Sequence, residues 1–450
     1  RRQRQMCIRD RGSSGVGKDQ PTSTGGGGGS AYGGAVFVQA GGTLHVTGDT
    51  TIGQNNVTGG ASLNGGKAGD SAGTDIFVMT GGNVVLDPGT GHVVTINGTI
   101  ADDSEASIGG SVAEGAGADI HVRSGLVRLN GANTYTGQTV IDGGALEAQD
   151  GVGINRNSNI RLNGGVLQTS GVFDRFLGTE SDRIQWSGSG GFASSNADTL
   201  RVRLQGGMAL TWAEDSFVPD GHALIFGSDT SLGNVLLENG IDLNGGIRTI
   251  LVSPNADGRG YAVISGVLAN GGLTVGDAGH TGRLMLTAEN TYAGKTTINA
   301  GATLVLVGDG GIAHSAIVQT DGLLDATGAS RDTHLVALQG NGEVRLGVHD
   351  LSITNGSGTF AGAITGSGGL AVEAGDMTLS GTNTYSGQTN IRAGAILRLA
   401  GEGSVAASAG LNVDGTFDIA STVVGALVKT LSGTLSLIHI SEPTRPRLIS

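Results

Sequence analysis

One short block occurs three times in this chain, and it limits what the chain can fold into. Asn133-Thr134-Tyr135-Thr136-Gly137-Gln138-Thr139-Val140-Ile141, Asn290-Thr291-Tyr292-Ala293-Gly294-Lys295-Thr296-Thr297-Ile298 and Asn383-Thr384-Tyr385-Ser386-Gly387-Gln388-Thr389-Asn390-Ile391 share Asn-Thr-Tyr-x-Gly-x-Thr-x-Ile/Val. Each copy runs on into a glycine turn and an apolar stretch: Gly143-Gly144-Ala145-Leu146, Ala300-Gly301-Ala302-Thr303-Leu304 and Ala393-Gly394-Ala395-Ile396-Leu397. Repetition of this kind is the mark of an architecture that stacks equivalent units.

The units are strands. Segments of about four to six residues with period-two alternation, such as Ile120–Arg123, Ile160–Asn163, Leu200–Leu204 and Leu411–Asp414, with the shorter Phe417–Ile419, are commonly closed by Gly, Asn or Asp. No window of helical periodicity escapes a glycine break. Glycine fills 85 of 450 positions, against roughly 7% in ordinary proteins. Its irregular spacing and the six prolines exclude collagen, while 38% hydrophobic residues and a mean hydropathy of +0.05 argue against disorder. Aromatics at 4% and charged residues at 14% leave too little material for a compact helical enzyme. A single β-sandwich of such length would overrun ordinary domain size, whereas a solenoid grows by adding coils. The expectation is an all-β, elongated, right-handed parallel β-helix. Coils of roughly 20 residues stacked about 4.8 Å apart would give on the order of 20 coils and a length near 100 Å. Glycine and asparagine would supply the positive-φ corners.

The repeated block resembles the passenger-associated transport repeat, or autotransporter-associated β-strand repeat, of bacterial type V secreted proteins. The copy from Gly368 through Leu399 matches that pattern most fully. Gly33–Val38, Val94–Asp102, Gln185–Ala193 and Phe217–Gly221 are similar to segments of large autotransporter adhesins. The resemblance implies an extracellular β-helical passenger exported through a C-terminal outer-membrane β-barrel, adhesive or stalk-like, with repeats that support secretion and folding. It also implies a host-surface or matrix ligand, glycan or protein. A carbohydrate-active β-helix enzyme is the alternative function and a passive surface or matrix component the third.

Both ends read as foreign to this pattern. Met6–Arg11 and Ser436–Pro446 resemble translated sequencing-adapter read-through, so residues 1–20 and 438–450 are set apart from a passenger body at 21–437. The parent would then extend beyond both ends, and solenoid ends left cut would self-associate. Of the 26 basic and 39 acidic residues, eight and three lie in those ends. The body thus carries 18 against 36, a net of −18, which opposes nucleic-acid binding. Cys7 is the lone cysteine, so no disulfide can form within the chain.

Candidate sites are weak by comparison. Gly12–Lys18 imitates a nucleotide loop but is followed by Asp19 in place of Ser or Thr. Asp102, Asp103 and Glu105, or Asp414 and Asp418, could supply paired carboxylates for glycoside cleavage, though turns are the better reading. No Gly-x-Ser-x-Gly elbow sits between a strand and a helix. Asn255–Gly258 lacks the rest of a calcium loop, and the histidines are scattered without metal-ligand spacing. The expected catalytic, cofactor and metal residues are therefore none. Trp186 and Trp212 read as packing anchors rather than a sugar platform. Asn133, Tyr135, Gly137, Asn290, Tyr292, Gly294, Asn383, Tyr385 and Gly387 read as structural, the asparagines in turns or ladders and the tyrosines covering the coil.

Overall fold

The computed structural model describes residues 27–438 apart from 54, 63–65, 109–116, 256, 259, 424 and 435. Gly12–Lys18, Met6–Arg11, Cys7 and nearly all of the two ends set apart above lie outside the described residues. The described chain is strand and turn, with a four-residue helix at Glu105–Ile108 and a 3-10 turn at Gln205–Gly207. Every pairing between the described strands is parallel, and strands pair with equivalent strands of neighbouring coils, forming a β-solenoid of about 16 turns. That is fewer than 20 because several coils carry insertions. Thr43 pairs with Asn83, Asn83 with Asp119 and Ala223 with Thr249, whereas Thr139 to Ile160 and Thr303 to Leu323 are ordinary coils.

Two compact units are present. The first comprises residues up to Gly206 with 213–220 and 227–234. One of its faces is Thr43–Thr47, Asn83–Asp87, Asp119–Val122, Thr139–Ile141, Ile160–Leu162 and Ile184–Trp186 in chain order. A second runs Thr50–Ile52, Val93–Ile96, Leu126–Leu129, Ala145–Ala148, Val166–Thr169 and Gly190–Ser194. In the second unit, Arg283–Leu286, Thr303–Gly308, Leu323–Ala329 and Glu343–Leu346 form part of one face. Leu351–Ile353, Leu370–Val372, Thr389–Ile391 and Leu411–Val413 form part of another, and Gly375–Leu379, Ile396–Gly401 and Thr416–Thr422 part of a third.

Alternation along each strand sends one set of side chains inward, and register stacks them into columns. Val84, Ile120, Ile160 and Ile184 form one such column, Leu86, Val122, Ile141, Leu162 and Trp186 its neighbour, all buried. Outward positions carry Thr, Asn, Arg and Asp. Glycine earns its place at the corners: Gly144, Gly301 and Gly394, the glycines that follow the three repeated blocks, have φ of 66°, 83° and 84°.

Histidine–aspartate pairs join neighbouring coils on the outer surface of the first unit. His121 Nδ1 lies 3.1 Å from Asp142, which also accepts a bond of 2.8 Å from Asn163. Burial opposes ionisation of Asp142, but these two partners prevail and hold its carboxyl below the usual carboxylate range. A depressed carboxylate adds stability above its unfolded pKa, and that stability is lost as pH falls through the lower folded value. Asp142→Asn is expected to cost under about 1 kcal/mol at neutral pH, with the difference from the parent shrinking below pH about 4, as read by denaturant unfolding against pH.

Candidate functional site: the repeated buried polar clamp

In each repeated block an inward-facing column is interrupted by a threonine. Thr139 sits between Ile120 and Ile160, Thr296 between Leu273 and Val318, and Thr389 between Leu370 and Leu411. Each threonine is fully buried and belongs to a repeated block. A hydroxyl at such a site costs free energy unless it is bonded, and in all three it is bonded the same way.

The tyrosine four residues earlier meets it: Tyr135 Oη to Thr139 at 2.8 Å, Tyr292 to Thr296 at 2.7 Å and Tyr385 to Thr389 at 2.7 Å. The threonine hydroxyl in turn meets a serine of the following coil, Ser158, Ser315 or Ser408, at 2.7, 2.9 and 3.0 Å. That serine donates to the carbonyl of the block's own glycine, Gly137, Gly294 or Gly387, at 2.6, 2.9 and 2.8 Å. A single direction of donation, tyrosine to threonine to serine to carbonyl, satisfies every hydroxyl.

The asparagine staples the block on both sides. Its Oδ1 accepts a backbone N–H of the preceding coil, from Ile100, Leu268 or Ile364, at 2.7, 2.8 and 2.9 Å. Its Nδ2 donates to a carbonyl of the following coil, on Gly153, Gly311 or Ser404, at 2.7, 2.9 and 3.1 Å. The glycine is required by close approach: a Cβ at Gly137, Gly294 or Gly387 would run into the backbone of Ala118, Gly271 or Gly368. One block therefore fastens three successive coils.

The tyrosine rings do not cover the coil; they lie inside it, at 0%, 1% and 1% exposure. Burial pushes Tyr135 up to about 12 and raises Tyr292 and Tyr385 as well, against the opposing hydrogen bond from threonine. The asparagines bond across coils more than within their own turns. The threonines belong to the shared pattern, but their inward placement follows only from register. The serines were not singled out at all, although a constant spacing of 19 residues after the threonine was there to be seen.

The first block has an added buried ion pair: Arg175 donates to Asp150 at 2.5 Å and to the carbonyl of Ser158 at 2.7 Å. Asp102, raised above as a catalytic carboxylate, is buried and accepts from Ser104 Oγ at 2.5 Å, Thr136 N at 2.6 Å and Ala118 N at 3.2 Å. Asp103 is bonded to the amide and hydroxyl of Thr80 at 2.9 and 2.8 Å. Glu105 is exposed in the short helix. Asp418 is paired with Arg398 at 2.5 Å, and Asp414 accepts from Thr434 at 3.3 Å. Asn255 closes its own turn, accepting from Gly258 N at 2.8 Å and Gly260 N at 2.7 Å. Trp186 packs edge-on to Phe192 and Phe217, and Trp212 lies under Arg248. Both indoles are buried, so neither offers a platform. Among the described residues no group of three or more His, Cys, Asp and Glu could hold a metal ion, and no helix is long and apolar enough to cross a membrane.

The family model of the passenger-associated-transport-repeat matches residues 124–148, 281–306 and 372–399, the three blocks with their flanking strands. The clamp serines lie beyond each matched stretch. The chain is 29% identical over 377 residues, 80% of its length, to the Adhesin BmaC autotransporter of Brucella suis biovar 1 (strain 1330), and spans 9% of that protein. No solved structure matches. The three repeats and this similarity support a β-helical autotransporter passenger segment and indicate a cell-surface location for its parent.

Three outcomes follow. Thr389→Val leaves the Tyr385 hydroxyl buried without its partner, at a cost of about 1–3 kcal/mol, against about 0.5–1.5 kcal/mol for Tyr385→Phe. Asn383→Ala should speed amide exchange at Ile364 about tenfold for each 1.4 kcal/mol lost; exchange mass spectrometry or NMR reads both. Because the folded tyrosine pKa is raised, stability is full below the unfolded value near 10 and falls as pH climbs toward about 12 for Tyr135. Absorbance at 295 nm should show three of the five tyrosines ionising together with loss of β structure.

Proposed function

We propose that the chain is part of a surface-displayed passenger acting as an adhesin or its stalk, in which the three clamps secure coil register as the passenger folds after export. The observation that carries this reading is the clamp itself, built three times with the same partners inside a chain similar to an autotransporter adhesin. On this reading the passenger body is 21–437, the parent holds an outer-membrane β-barrel, and the ligand is on a host surface or in matrix. The acidic body speaks against nucleic acid. A non-enzymatic role is supported by where the carboxylates are used: Asp102, Asp103, Asp414 and Asp418 all hold backbone, hydroxyl or guanidinium groups of the fold.

The reading is tested in two ways. Beads coated with the purified chain should adhere to host-cell monolayers several-fold better than albumin-coated beads; equal adhesion would leave support as the role. Asn383→Ala with Thr389→Val in the parent should lower surface-displayed passenger, measured by antibody on intact cells, while total synthesis stays level. The chain should release no reducing ends from acidic polysaccharides.

A further inference from the structure

A cleft of about 270 Å³ opens in the second unit, on the coils that follow the middle repeat. The half-buried Ala313 and Ala329 line it with apolar surface above the buried Leu306 and Ile312. His314, Arg331, Asp332 and His334 supply exposed polar groups around it. The register shift between Val305 and Val307 accompanies strands that run on to Gly308 and Ala329, and Ala329 also lines the cleft.

Hydrogen-bonding capacity is left over here. Other arginines and carboxylates of this unit are engaged with each other, among them Arg345 with Glu343 and Arg398 with Asp376 and Asp418. At the cleft, Arg331 uses only Nη2, on the Glu289 carboxylate and the Asp309 carbonyl. Its Nε–H and Nη1–H groups have no partner among the described residues. Asp332 Oδ1 accepts from the amide of Asp350 at 3.0 Å and lies 3.8 Å from His349 Nδ1, and Oδ2 has no hydrogen-bond partner among the described residues. Neither do the imidazoles of His314 and His334. Glu289 is particular to this repeat, since Ala132 and Thr382 stand before the asparagine in the other two.

Donors and acceptors side by side over an apolar floor suit a ring with hydroxyl edges and a C–H face, because each hydroxyl both donates and accepts. Glu289 and Asp332 offset the charge of Arg331, which disfavours phosphate. The volume lies below the roughly 300–1,000 Å³ of pockets for drug-sized ligands, so one ring fits and a polymer segment does not. We propose that this cleft binds the terminal pyranose of a glycan. The assignment rests on the adhesive reading for its biological setting and names a ligand class for it.

Saturation-transfer NMR on the purified chain, with methyl glycosides of a neutral hexose, an N-acetylhexosamine and a hexuronic acid, tests it. At least one glycoside should receive saturation, and Asp332→Asn and the double variant His314→Ala/His334→Ala should each cut the signal at least fivefold. These side chains are exposed, and unchanged thermal unfolding would show that the fold persists; Arg398→Ala should leave the signal intact. No transfer to any of the three sugars, or equal transfer to the variants, overturns the proposal, as does binding of inorganic phosphate in place of sugar. A chain that adheres to cells yet takes up no sugar sinks the cleft and spares the adhesive reading; a chain that binds sugar through these residues without adhering does the reverse.

Discussion

Each strand here makes its backbone hydrogen bonds with strands of neighbouring coils, commonly about 20 residues away in sequence, and the rest of the structure follows from that dependence. A lone coil would leave its strand N–H and C=O groups unpaired, so coils are stable only in company. Stacking in register also forces like onto like. The interior becomes columns of Val, Ile and Leu, and the corners become glycines whose backbone approaches the coil below.

Columns of interchangeable aliphatics have a weakness: they pack almost as well when slipped by a coil. The clamps act against that ambiguity on the proposed reading. Thr139, Thr296 and Thr389 are each met inside by a tyrosine four residues before and a serine 19 residues after. A slipped coil would bury at least one hydroxyl without a partner, at about 1–3 kcal/mol each. Buried polar groups that fix register are a known use of such costs. The asparagine adds a second lock by bonding the coils on both sides, and the glycine lets the preceding coil come near enough for both to form.

The acidic surface looks different once partners are assigned. Carboxylates that might have been chemical groups hold turns, hydroxyls or guanidinium groups, Asp102 most fully, since Ser104, Ala118 and Thr136 all donate to it. At the cleft beside the middle repeat, Arg331, Asp332, His314 and His334 keep bonding capacity in reserve. The inward positions are committed to stacking, so a ligand would meet outward groups such as these.

Much of this was legible in the residues. Period-two segments closed by glycine named the strands: Ile160–Leu162, Leu200–Val202 and Leu411–Val413 fall where alternation put them. The threefold block announced the stacking, and the glycines after it announced the corners. Coil number was overestimated because insertions, as between Thr43 and Asn83, have no periodic signal of their own. The direction in which Tyr135, Tyr292 and Tyr385 point was not legible either, nor was the part played by Ser158, Ser315 and Ser408. Alternation says that a side chain faces in or out; which residue of the next coil it meets depends on register, set jointly by every pair of stacked strands. Local patterning thus determined an all-β solenoid with repeated asparagine, tyrosine and glycine, while only the packing of one coil on another turned those residues into a clamp and left a cleft beside the second.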